Sequence, residues 1–149
     1  MTPANPLATA LTERLGIAHP VCQAGMGFIA RGELAAAVSA AGGLGVIGAE
    51  GLSADELAAE IIKVRALTDR PFGVDILFGQ VKSERSDAVV EYSAEVQRQI
   101  DVVLEAHVPV LISGLGSPAG VLDAAHARGM TVMSVIGNVR MGGVQHPGR

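Results

Sequence analysis

The chain has 149 residues, enough for one ordinary domain, and 49% of them are hydrophobic against 17% charged, which excludes a disordered polypeptide. A net charge of -4 leaves no electrostatic footprint for nucleic acid or an anionic membrane, and the single cysteine, Cys22, excludes an internal disulfide. No apolar run approaches the roughly 18 residues of a membrane-spanning helix. Glu13 and Arg14 fall where a signal peptide would be apolar, so a cytoplasmic location is expected.

In chain order, Asn5-Pro6 has the character of a helix start, with Leu7, Leu11 and Leu15 on one face and Gly16 as the stop. Val21 to Ala24 reads as the first strand. A helix over Glu33 to Ala41 ends at Gly42-Gly43, and Leu44 to Ala49 forms the second strand. Ser53 and Glu56 make an S-x-x-E capping box that opens an amphipathic helix running to about Thr68. Pro71 introduces a third strand, Phe72 to Phe78, apolar except for Asp75. Residues 79–92 are polar and aperiodic, the signature of a longer surface loop. Ser93 to His107 is a helix with Val96, Ile100, Val103 and Leu104 on one stripe, and Val108 to Ser113 the fourth strand. Ser117-Pro118 caps a further helix ended by Gly129, and Thr131 to Ile136 is the fifth strand. Strict alternation of helices with strands apolar on both faces means a parallel sheet covered by helices. Periodicity alone leaves open whether that sheet is doubly wound or closed into a barrel.

Several motifs carry candidate chemistry. Gln23-Ala24-Gly25-Met26-Gly27 leaves the main chain bare at a strand end, where a flat ligand can approach its amides. Met26 is unbranched and soft enough to lie against such a ligand, and equally a common core residue. Asp75 is a charge within an apolar strand; it either accepts hydrogen bonds from a ligand or pairs with a neighbouring amide or arginine. Gly114-Leu-Gly116-Ser117-Pro118 follows a strand and opens a helix, so it is either an amide cradle for an anion or ring carbonyl, or an ordinary capped turn. Gly43-Leu-Gly45-Val-Ile-Gly48 matches G-x-G-x-x-G but follows a helix and lies in a strand, the wrong context for a dinucleotide fingerprint. Gly45 is better read as close packing. His19, His107, His126 and His146 have no metal-ligand spacing with each other or with Cys22, so no metal is expected. Cys22 reads as a small buried hydrophobe, and Lys63, Arg65, Asp69 and Arg70 as a solvated helix face and its end.

The succession QAGMG, RGELAAAVSAAGGLG, a capped helix and TDRPFGVDILF, from about Leu15 to Arg140, resembles the nitronate monooxygenase family of flavin-dependent (β/α)8 barrels. The resemblance implies an α/β fold of parallel (β/α) repeats, a TIM barrel truncated to about its first five strands, with residues 1–149 as a partial FMN-binding domain. A full barrel takes about 250 residues. It implies FMN as cofactor, bound by Ala24, Gly25, Met26, Gly27 and Asp75, a small-molecule substrate, and oxidation of alkyl nitronates by O2 to a carbonyl compound and nitrite. NAD(P)H:quinone or enoyl reductase activity of the same flavin-barrel family is the near alternative, and a non-catalytic α/β binding domain the distant one. Many members carry Asn where this chain has Asp75. The family's histidine base sits in a Gly-Gly-His or Ala-Gly-His segment on a later strand; His146-Pro147-Gly148 resembles its end but lacks the intervening helix and strand, so the catalytic residue is unassigned and His146 is not expected to be it. The chain by itself is expected to be inactive, with self-association through exposed sheet edges.

Overall fold

A computed structural model describes residues 6–79 and 92–138, within which helices and strands alternate. The order is α1 (Ala10–Leu15), α2 (Gly32–Ala40), β1 (Gly45–Gly48), α3 (Ala54–Leu67), β2 (Phe72–Leu77), α4 (Ala94–Glu105), β3 (Val110–Gly114), α5 (Leu122–His126) and β4 (Thr131–Ser134). The four strands form one parallel sheet in the order β1-β2-β3-β4, the arrangement expected of consecutive (β/α) units.

The sheet is apolar on both faces, but the two faces are covered unequally. Toward the helices, Ile47, Val74, Ile76 and Leu111 pack with Ile61 of α3 and Ile100 of α4 in the main core. On the other face, among the described residues, Leu44, Val46 and Val110 form a smaller cluster with Leu15 and Ile17, at the end of the six-residue α1, joined by Ile112 and Met133. Against β1, the face of α2 is built from Gly32, Ala35, Ala36 and Ser39, so helix and strand come very close. A methyl group on Gly45 would overlap the Ala35 carbonyl, and the Ser39 hydroxyl accepts the Gly45 amide hydrogen at 3.1 Å. The glycines of Gly43-x-Gly45-x-x-Gly48 therefore serve packing.

Local chemistry moves several boundaries. The first helix begins at Ala10, capped by Thr9, whose hydroxyl accepts from the Thr12 amide while Thr12 reaches back to the Thr9 amide. Leu7 and Leu11 are exposed, and of the expected leucine stripe only Leu15 is buried. Gly16 ends the helix in the left-handed region (φ 67°). The Ser53–Glu56 capping box forms as expected at the start of α3. The helix expected from Ser117-Pro118 starts only at Leu122, because the Ser117 hydroxyl accepts from Ala119 two residues on and makes a local turn instead. The fifth expected strand ends at Ser134, leaving Val135 and Ile136 exposed.

The expected strand over Val21–Ala24 is reduced to a single bridge, Cys22 to Leu44. The Leu44 amide donates to Val21 and the Gln23 amide to Leu44, both at 2.9 Å. At the next step the Gln23 side chain replaces the backbone: its Oε1 accepts from the Val46 amide and its Nε2 donates to the Val46 carbonyl, each at 3.1 Å. A primary amide has the donor and acceptor of a peptide group, so it continues the ladder while the main chain lifts away. Cys22 is consequently exposed rather than buried. Most of the expected polar loop (residues 80–91) lies outside the described residues.

Candidate functional site

The segment that lifts off after Gln23 crosses the C-terminal ends of the strands, the end at which parallel α/β proteins bind ligands. Register places Gly48, Asp75, Ile112 and Met133 side by side across β1 to β4 on the sheet face away from the main helix-packed core. Asp75 is the single ionisable member of this row, and its β1 neighbour has no side chain.

The glycine segment packs on this row through its backbone. A Cβ on Gly25 would sit well inside contact distance of the Asp75 Cβ and 2.6 Å from Oδ2. On the opposite side a Cβ on Gly114 would lie 3.1 Å from Oδ1. The carboxylate is thus held between two bare backbones. In the same way Gly27 makes room for Glu50, whose Oε2 would be 2.5 Å from an added Cβ, and Gly48 for the Met26 carbonyl at 2.8 Å. The glycines of the segment are required by these close approaches, two of them to acidic side chains distant in sequence.

Asp75 has an unusual electrostatic position. Oδ1 is buried with no hydrogen-bond partner among the described residues. Burial pushes its pKa up to about 6; the nearby Gly114 amide offsets part of that rise, and the negative charge of Glu50 adds to it. Of the options open from sequence, pairing with an arginine is not realised, whereas a neighbouring amide, that of Gly114, does act on the carboxylate. The nearest guanidinium of the segment, Arg31, instead donates to the Gly48 carbonyl at 2.5 Å and the Glu50 carbonyl at 3.4 Å, and lies 5.9 Å from the Phe28 ring centre. The turn after β1 is also held by buried Gln99 of α4, which donates to the carbonyls of Ala49 and Leu52.

The mouth around this row is apolar and exposed. Met26 is 39% exposed, and Phe28 and Leu115 each 73%. Phe28 (φ 63°) and Leu115 (φ 42°) both occupy the left-handed region, which disfavours bulky side chains. The Gly114–Pro118 segment reaches the same end, with Ser113 Oγ donating to the Gly116 carbonyl and Tyr92 Oη to the Ser117 carbonyl.

The structure therefore brings Ala24, Gly25, Met26, Gly27 and Asp75 together, whereas His146 lies outside the described residues. His19, His107 and His126 are exposed. Glu50 and Arg31 belong to the site without having been singled out from sequence; the signal was available for Glu50, a charge immediately after an apolar strand. No group of three His, Cys, Asp or Glu residues among those described could hold a metal ion. No described helix is long and apolar enough to cross a membrane.

Comparison with known proteins agrees with this architecture. The chain is 54% identical over 70 residues to the (3aS,4S,5R,7aS)-5-hydroxy-7a-methyl-1-oxo-octahydro-1H-indene-4-carboxyl-CoA dehydrogenase of Mycobacterium tuberculosis, covering 47% of this chain and 20% of that protein. It is 44% identical over 84 residues to the nitronate monooxygenase of Pseudomonas aeruginosa, covering 54% of this chain and 24% of that one. The structure of FabK from Thermotoga maritima superposes with a TM-score of 0.77 at 32% identity, over 93% of this chain and 41% of FabK. The chain spans between a fifth and about two fifths of the length of these relatives. The nitronate monooxygenase family model matches residues 8–145, and the chain belongs to that family.

Proposed function

We propose that this chain forms the flavin-facing opening of an FMN-dependent oxidoreductase of nitronate monooxygenase type, which oxidises alkyl nitronates to a carbonyl compound and nitrite with O2. One observation carries the reading: a buried acceptor, Asp75 Oδ1, is left unpartnered between Gly25 and Gly114 at the C-terminal ends of the strands. Burying such an atom costs free energy unless a donor arrives, and a flat heterocycle with an N–H edge supplies one. The residues present fit the group. The Ala24–Gly27 backbone offers amides with little side-chain bulk, Met26 a soft apolar surface, and Asp75 an acceptor.

When bound, FMN supplies the electron acceptor and the site of its reoxidation by oxygen. This chain's own residues do the rest. The glycine segment would give the ring a rigid backbone surface, because Gly25 and Gly27 are braced on Asp75 and Glu50. Arg31 ties the segment to the end of β1 through the carbonyls of Gly48 and Glu50. Met26, Phe28 and Leu115, exposed at the mouth, would present apolar surface to a bound ring and shield it from water.

The 54% identity over 70 residues to a hydroxy-methyl-oxo-octahydro-indene-carboxyl-CoA dehydrogenase favours a second reading, a reductase or dehydrogenase of the same family. Fluorescence titration of the purified chain with FMN tests the shared core of both: saturable quenching at one FMN per chain is expected, and its absence overturns both. Difference spectra of the complex then separate them. An alkyl nitronate perturbing the flavin bands supports the first reading; perturbation by NADH or an acyl-CoA thioester in its place supports the second.

A further inference from the structure

The edge of β1 away from β2 is paired partly by side chains. At Leu44 the partners are backbone groups: the Leu44 amide donates to the Val21 carbonyl and the Gln23 amide to the Leu44 carbonyl, both at 2.9 Å. One further step of a parallel ladder would give the Val46 amide to the Gln23 carbonyl and commit the Gly25 amide to the Val46 carbonyl. Instead the Gln23 side chain makes both bonds at 3.1 Å, and its Nε2 also donates to the Ala24 carbonyl. Main chain rejoins the edge only at Gly48, whose amide donates to the Ala30 carbonyl at 2.9 Å while its own carbonyl accepts from Arg31.

We propose that Gln23 is a positioning residue of the flavin site: its side-chain amide replaces one rung of strand pairing, so that the backbone amides of Ala24 to Gly27 are released from the sheet and kept free for the ring. This role rests on the flavin reading above. Val46 is fully buried, so its polar groups cannot turn to water and the rung must be filled from within the chain. With Gln23 filling it, the main chain leaves the edge of β1 and crosses to β2, where Gly25 packs on Asp75. Among the described residues the amides of Ala24, Gly25, Met26 and Gly27 donate to no other group.

The residue type matters. Only a primary amide carries a donor and an acceptor that match both backbone groups of Val46, and only one orientation of it does so, because the turned amide would set N–H against N–H. The segment is thus held at both ends by side chains, Gln23 before it and Arg31 after it. Donors already free of the ladder bind a ligand without first breaking a bond, so affinity is gained by preorganisation.

The test is FMN titration of the full chain beside Gln23→Met, Gln23→Glu and Ser39→Ala, with urea midpoints measured on each. Gln23→Met keeps the length of the side chain and removes its hydrogen bonds; it should weaken FMN binding about tenfold, the scale of one hydrogen bond. Gln23→Glu keeps the acceptor for the Val46 amide and loses the donor, so its affinity should fall between the two. Ser39→Ala is the control: its hydroxyl accepts the Gly45 amide on the same strand, so its loss should lower the urea midpoint and leave the FMN dissociation constant unchanged. Hydrogen exchange gives a second readout, in which FMN should slow the amides of residues 24–27 in the wild-type chain. Wild-type affinity in Gln23→Met, or an equal loss in Ser39→Ala, overturns the role of Gln23 and leaves the flavin site standing. Should Gln23→Met fail to fold, Gln23→Glu decides by the same criterion. No FMN binding by the wild-type chain overturns both.

Discussion

At the scale of single residues, Asp75 sets the cost of this site. Its pKa is about 6 in the folded chain against 3.8 for a free aspartate, because burial disfavours the charged form. A raised carboxylate pKa means that the folded state binds the proton more tightly than the unfolded state. The stabilisation from protonation is fully present below about pH 4 and lost as pH rises through 6. Asp75→Asn removes the titrating charge while keeping the shape. Urea denaturation should show the variant more stable than the natural chain at pH 7.5 by about 1–2 kcal/mol, less than the full two-unit shift because the carboxylate is partly exposed and screened by water, with the gap closing toward pH 4. A gap that is the same at both pH values would mean that Asp75 is not strained by burial.

At the scale of elements, the stops and starts are local hydrogen-bond chemistry, and this decides what could be read from the sequence. The Ser53–Glu56 box was legible because both partners lie within one turn and match a known pattern. The Thr9–Thr12 box does the same work with Thr in place of Glu, so the first helix was expected too early, at Asn5-Pro6. Gln23 illustrates the harder case. Its amide stands in for a peptide group against Val46, which shortens an expected strand to one bridge and exposes Cys22. Nothing local in the sequence distinguishes that from an ordinary strand end. The site was half legible for the same reason: the need for bare backbone at Gly25 and Gly27 could be read, whereas its cause, carboxylates of Asp75 and Glu50, depends on contacts far apart in the chain. Ser53→Ala tests the legible device. It should lower stability by about 1 kcal/mol, and Ser53→Asp should restore most of it, as measured by urea midpoints. Equal stability of all three would show that the Ala54 amide's bond to Glu95 of α4 suffices to hold the helix start.

At the scale of the whole molecule, the two faces of the sheet are unequal partners in stability. One carries the continuous core from α2 through α5, with Ile76 fully buried within it. Among the described residues the other has a smaller apolar cluster, in which Leu15 and Ile17 on either side of Gly16, the cap of a six-residue helix, pack on Leu44, Val46 and Val110. A helix that short has little stability of its own and stays in place through its tertiary contacts. Opening of α1 should therefore cost much less than opening of the sheet. Ile76→Ala removes a fully buried side chain from the main core and should destabilise the chain globally by about 2–5 kcal/mol. Leu15→Ala should act differently. Hydrogen exchange in residues 10–17 should speed up while the amides of β2 and β3 keep their protection, and the urea midpoint should move less than for Ile76→Ala. Should β2 and β3 lose protection along with α1 in the Leu15 variant, the two faces would be one cooperative unit. The inner face would then be an integral part of the core rather than a surface from which a short helix can lift.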